Sequence, residues 1–92
     1  MIGHEVIVYT SNDCVQCEKV LAKLSKWNIA FEERNISKDE RHFKDLKAQR
    51  IYATPATFFN SEKILGYQER RLRRALGIPY DATFQKTSNI SS

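Results

Sequence analysis

Residues 5 to 17 read EVIVYTSNDCVQC, a strand-like run that breaks into a polar turn and delivers two cysteines three positions apart. Val6 to Tyr9 are four consecutive β-branched or aromatic apolar residues, a continuity that suits a central strand covered on both faces. Beyond Cys14 the period changes. From Val15 to Asn28, Val20, Leu21, Leu24 and Trp27 recur at helical spacing, and Glu18, Lys19, Lys23 and Lys26 take the opposite side. That is an amphipathic helix with Cys14 and Cys17 at its beginning. FEERNI, residues 31 to 36, alternates weakly and predicts a second strand. Strand, helix and strand with short links imply a right-handed βαβ unit with parallel strands.

The rest of the chain extends this unit. In SKDE, residues 37 to 40, Ser37 is placed to cap a second helix, with Glu40 reaching back to its amide. Phe43, Leu46 and Ile51 supply that helix's apolar side. After Thr54 and Pro55, ATFFN and EKIL predict two short strands parted by Asn60 and Ser61, the composition of a hairpin turn. QERRLRRAL, residues 68 to 76, predicts a last helix stopped by Gly77, with Pro79 beyond it. Residues 78 to 92 are polar and without periodicity, which reads as a flexible tail after a domain of residues 1 to 77.

Composition limits the function classes. Ninety-two residues suffice for one hydrophobic core and one site. The net charge of +4 is concentrated: between residues 62 and 77, five cations stand against two anions. A field of that sign favours an acidic partner. The RRLRR run at 70 to 74 carries no groove-reading motif and no interleaved aromatics, so nucleic acid is not an expected partner, and the run reads first as a solvated helix face. The N-terminus lacks a basic start, a long apolar segment and a small-residue cleavage site. No apolar run approaches the roughly 20 residues of a membrane helix. A cytoplasmic protein with no membrane association is expected, and Asn89-Ile90-Ser91 is a sequon without secretory context. In a reducing compartment two close cysteines point to catalysis or metal binding rather than to a structural disulfide.

Three readings of Cys14 and Cys17 compete: a working dithiol, half of a zinc site, or inert core thiols. A zinc site needs two further ligands, and only His4 and His42 are on offer, at spacings that fit no compact zinc motif. Metal and cofactor are therefore not expected, and both histidines read as solvated surface residues. Tyr9 reads as a strand core residue bordering the site, and Trp27 and Phe43 as core.

The order β-α-β-α-β-β-α, with CxxC opening the first helix and Thr-Pro ahead of the hairpin, resembles the thioredoxin fold in its short glutaredoxin form: a four-stranded mixed sheet flanked by three helices. The resemblance covers residues 5 to 77. CVQC is closer to the NrdH-type redoxins, which are glutaredoxin-like in sequence and thioredoxin-like in their reductant, than to ordinary glutaredoxins. Glutathione-dependent members carry Gly-Gly followed closely by Asp before the last helix, where this chain has LGYQER, residues 65 to 70. Gly66 and Tyr67 match the Gly-aromatic pair of the NrdH type. The resemblance implies that Val15, Gln16, Thr54, Pro55, Gly66 and Tyr67 meet the substrate, that the Thr54–Pro55 peptide is cis, and that the protein is a monomer. It implies protein disulfides as substrates and thioredoxin reductase or glutathione as reductant.

Chemistry supports the dithiol. Only a thiolate attacks a disulfide, and an ordinary thiol ionises near 8.5. A helix N-terminus presents unpaired amides and the positive end of the macrodipole to Cys14. Reaching a pKa near 7 takes about 2 kcal/mol of thiolate stabilisation, a sum within reach of one dipole and one or two hydrogen bonds. Lys19 adds a smaller attraction and Asp13 opposes it. Cys14 is thus the expected nucleophile and Cys17, deeper in the same turn, the expected resolving thiol. The rival function is a non-catalytic redox sensor or adaptor whose dithiol state controls partner binding through the basic last helix.

Overall fold

The computed structural model describes residues 5–79. Within them, seven elements follow one another as β1 (Val6–Thr10), α1 (Val15–Lys26), β2 (Glu32–Asn35), α2 (Glu40–Ala48), β3 (Ala56–Phe59), β4 (Glu62–Leu65) and α3 (Glu69–Leu76). The expected order is the observed one. The sheet runs β2-β1-β3-β4, with β1 parallel to β2 and the other neighbours antiparallel. β1 lies inside the sheet, where its unbroken apolar run serves two faces. Val6 and Val8 enter a core with Val20 and Leu24 of α1, Ile64 of β4 and Leu72 of α3. Tyr9 enters a second core with Leu46 of α2, Ile51 and Ala56, and Ile7 packs against the same cluster. The two-residue period of the strand thus assigns α1 and α3 to one face of the sheet and α2 to the other.

All three helices end in the same way. A residue in the left-handed region closes each one: Asn28 at φ 59° and Arg50 at φ 62° directly after the C-caps of α1 and α2, and Gly77 at φ 71° as the C-cap of α3. The next amide then turns back to an orphan carbonyl: Ile29 N–H to Leu24, Ile51 N–H to Leu46, Ile78 N–H to Arg73. Gly77 is the stop that the sequence announces. Asn28 suits the conformation because its short side chain tolerates it, whereas Arg50 adopts it at a steric cost.

Two sequence expectations fail here. Ser37 does not cap α2. Its hydroxyl accepts the Asn12 N–H at 3.0 Å, its own N–H goes to Asn35 Oδ1, and the helix starts later with Asp39 as N-cap, accepting the Arg41 N–H at 3.0 Å. His42 is not a solvated surface residue. It is half-buried, its Nε2 lies 3.7 Å from Asp39, and its Nδ1 is enclosed without a hydrogen-bond partner. Phe43 is half-buried beneath Lys47, 4.5 Å above its ring, and Trp27 packs against the core as read. His4 and the tail from residue 80 lie outside the described residues.

Asp39 makes the α2 cap sensitive to acid. Hydrogen bonds from the Arg41 guanidinium, and then from the Arg41 backbone N–H, lower its carboxyl from 3.8 to about 2. Folding therefore releases a proton from this group between those values, so its contribution is complete above about pH 4 and is lost as pH falls through about 2. Asp39→Asn keeps a capping oxygen and loses the titration. The variant's stability is expected to vary less with pH than the wild type's between pH 4 and 2 in chemical denaturation; parallel curves would refute the assignment.

Candidate active site

Cys14 and Cys17 stand at the start of α1 because the preceding residues steer the chain there. β1 ends at Thr10, and Asp13 turns the backbone through the left-handed region at φ 55°. Cys14 then takes extended φ and ψ as the N-cap of a 12-residue helix. Its sulfur fills the capping role of a side-chain oxygen, accepting the Cys17 N–H at 3.1 Å. The two cysteines are joined as a disulfide, with Cα atoms 5.2 Å apart. Their exposures differ. Cys14 is half-buried, whereas Cys17 is 2% exposed.

The turn before the disulfide is tied on two sides. Asn12 gives its N–H to Ser37 and accepts from Asn35 Nδ2 at 3.3 Å, which fastens it to the β2–α2 link. Ser11 is within 2.7 Å of Thr54, hydroxyl to hydroxyl. Thr54 sits beside the disulfide, its Oγ1 donating toward Cys14 Sγ at 3.9 Å, and its peptide to Pro55 is cis. Pro55 is buried, and its carbonyl accepts the Gly66 N–H at 2.8 Å. That bond draws the β4–α3 link to the same end of the sheet. Gly66 takes φ 76°, and a Cβ there would meet Gln16 Oε1 at 3.5 Å. Gln16 accepts the Tyr67 N–H at 3.3 Å. Val15, by contrast, turns outward at 66% exposure.

The fold thus gathers Cys14, Cys17, Gln16, Thr54, Pro55, Gly66 and Tyr67 into one connected region, with Val15 on its rim. Sequence reasoning missed Ser11. Its only advance sign is a second hydroxyl residue straight after Thr10, and its partner lies 43 positions away.

The flank of the site is charged but largely paired. Lys19 lies 5.9 Å from the Tyr67 ring centroid. Burial, then the neighbouring Glu69 carboxylate, raise the Tyr67 phenol above its ordinary value, and its hydroxyl donates to Glu69 at 3.3 Å. Glu69 in turn receives Arg73 at 3.0 Å and Lys23 at 3.6 Å. Arg73 also spans Trp27 at 5.1 Å and donates to the Pro79 carbonyl at 2.9 Å. At Arg73, then, the RRLRR run is an internal clasp rather than the solvated face that its composition suggests. Tyr9 is 4% exposed, and its hydroxyl accepts from Arg34 at 3.1 Å. Among the described residues no three His, Cys, Asp or Glu side chains form a metal set.

A family model described as Glutaredoxin matches residues 6–64. The chain belongs to the glutaredoxin family. Among solved structures it is similar to a mutant of the thioredoxin-like protein BC3987, at 30% identity and TM-score 0.75 over 82% of this chain and 97% of that one. A glutaredoxin of Archaeoglobus fulgidus matches at 25% identity and TM-score 0.70, over 79% and 86%. The NrdH-redoxin of Escherichia coli, a glutaredoxin-like protein with a thioredoxin-like activity profile, shares the fold at 24% identity and TM-score 0.71, over 76% and 92%. No curated protein sequence matches. As a glutaredoxin, the chain is a thiol-disulfide oxidoreductase, and its thioredoxin-like fold is the one that the order of elements implies. No described helix is long and apolar enough to cross a membrane.

Proposed function

We propose that this glutaredoxin is a small cytoplasmic electron carrier that reduces disulfide bonds of other proteins, with residues 1 to 77 as its working domain and Cys14 and Cys17 in different roles. The unequal exposure of the two sulfurs carries this reading. Cys14 is reachable from outside, and Cys17, at 2% exposure, is reachable only from Cys14. In the reduced protein the Cys14 thiolate attacks one sulfur of the substrate disulfide, and the other sulfur leaves as a thiolate that takes up a proton. Cys17, deprotonated, then attacks Cys14. The second substrate sulfur leaves as a thiolate and takes up a proton, and the carrier, having given two electrons to the substrate, is left with its own Cys14–Cys17 disulfide.

Protein substrates fit the surroundings. Val15 at 66%, Tyr52 at 69% and Leu65 at 48% are large apolar side chains left exposed, and each belongs to a segment at the site: the start of α1, the approach to Thr54, and the step before Gly66. Apolar surface of this kind suits a protein partner better than a small polar thiol. Thr54, Val15, Gln16, Gly66 and Tyr67 are the proposed substrate-facing set; Pro55, whose side chain is fully buried, serves it by shaping the loop that carries Thr54 and does not itself meet the substrate. Electrons come from a flavoprotein of the thioredoxin reductase kind or from glutathione.

Turnover tests the proposal. Oxidised protein is given insulin with thioredoxin reductase and NADPH, and separately with glutathione, glutathione reductase and NADPH. One of the two systems is expected to drive the reduction of many insulin disulfides per carrier molecule. A yield that stops at one equivalent in both would mark the dithiol as a sensor.

A further inference from the structure

We propose that Ser11 is a positioning residue for the redox centre: its hydroxyl holds the Thr54 hydroxyl so that the Thr54 proton points at the Cys14 sulfur. The inference rests on the carrier reading, because it matters only if Cys14 works as a thiolate.

Each hydroxyl has one proton to give and two lone pairs to receive with. Ser11 Oγ and Thr54 Oγ1 lie 2.7 Å apart, and Thr54 Oγ1 is 3.9 Å from Cys14 Sγ. Two arrangements are available. If Thr54 donates to Ser11, the sulfur receives nothing from it. If Ser11 donates to Thr54, the Thr54 proton is free for the sulfur. The charge on the sulfur decides between them. A disulfide sulfur is a weak acceptor, but a thiolate makes charge-assisted hydrogen bonds of about twice the ordinary strength. Reduction therefore selects the chain from Ser11 through Thr54 to Cys14, and each bond in such a chain polarises the next.

The relay is anchored at both ends. Ser11 opens a turn that Asn12 pins to Ser37 and Asn35. Thr54 precedes Pro55, whose carbonyl is held by Gly66. Without Ser11, the Thr54 hydroxyl loses its 2.7 Å partner and keeps only the long contact to the sulfur, so the threonine is freer to settle in another χ1 rotamer that turns it away. The Cys17 N–H would remain as the other donor to Cys14. The titratable and charged groups on the adjoining segments include Asp13, Glu18 and Lys19 around the start of α1, Glu33 on β2, which accepts the Thr10 hydroxyl at 2.8 Å, and its neighbour Arg34, Arg50 ahead of Thr54, and Tyr67 and Glu69 beyond Gly66. Substitution of Ser11 or Thr54 changes none of them.

The test follows the thiolate absorbance of Cys14 against pH in a Cys17→Ser background, where one thiol titrates. Thr54→Val is expected to raise the Cys14 pKa by about 1 to 2 units, the loss of one hydrogen bond to a charged acceptor. Ser11→Ala is expected to raise it by about 0.3 to 0.5 unit, a two- to threefold loss of thiolate when pH lies below the pKa. Ser11→Gly is expected to match Ser11→Ala, and Ser11→Thr to restore the original value. In the Thr54→Val background Ser11→Ala is expected to do nothing, since its route to the sulfur is gone. An unchanged pKa in Ser11→Ala and Ser11→Gly overturns the relay, and so does an equal shift with and without Thr54. If Cys14 of the starting protein titrates near the ordinary 8.5, the carrier reading falls instead.

Discussion

Cys14→Ser is expected to lower insulin reduction by at least ~10³-fold while the fold stays intact. A serine hydroxyl is close enough in size to occupy the N-cap and accept the Cys17 N–H, so α1 keeps its start. It does not ionise near neutral pH and forms no disulfide, so the attack on substrate is lost with the sulfur. Cys17 offers no replacement, because at 2% exposure its sulfur lies out of reach of a substrate disulfide. Cys17→Ser should fail differently. The first attack proceeds, the resolving step does not, and a mixed disulfide with substrate accumulates on Cys14. Mass analysis of each variant after mixing with oxidised insulin separates the two: an adduct on Cys17→Ser and none on Cys14→Ser. An adduct on Cys14→Ser in place of Cys17→Ser would exchange the roles of the two cysteines.

Elements whose signals are local were legible in the sequence. Val6–Tyr9 announces β1 because a strand buried on both faces needs no alternation, and the leucines of α1 repeat at the helix period because one stripe meets the sheet. Gly77 announces the end of α3 because a glycine adopts φ 71° without strain. What was illegible depends on distant partners. Ser37 and Asp39 are equally able to cap a helix, and the choice falls to Asp39 only because Asn12, 25 positions upstream of Ser37, claims the serine hydroxyl. Arg50 enters the left-handed region although nothing in its side chain favours it, because Ile51 goes on into the core beside Leu46. The site divides along the same line. CxxC at the head of an amphipathic helix is a contiguous signal, and Thr54-Pro55 is a dipeptide. The Ser11 hydroxyl next to Thr54 exists only once β1 and β3 are paired.

Leu72→Ala is expected to destabilise the protein by about 2–5 kcal/mol, the second large effect. Leu72 is 0% exposed in the core with Val8, Val20, Leu24 and Ile64, and it is flanked on both sides by pairs of arginines. It is the fully buried residue of α3, with Ala75 and Leu76 only partly covered against the same core. Truncation leaves a cavity between α3 and the sheet, and although its residues are good helix formers, eight of them are too few for the helix to stay ordered without its packing. Set against a total stability of about 5–15 kcal/mol, the loss should lower Tm by at least about 10 °C. Arg70→Ala, an exposed change on the same helix, is expected to stay within about 0.5 kcal/mol of wild type. Thermal unfolding of the two variants side by side decides whether burial or charge holds α3. Equal losses would mean that the arginines do. A loss confined to Leu72 would mean that one leucine seats the helix, and that Arg73 reaches Glu69 and Trp27 because that leucine has already placed it.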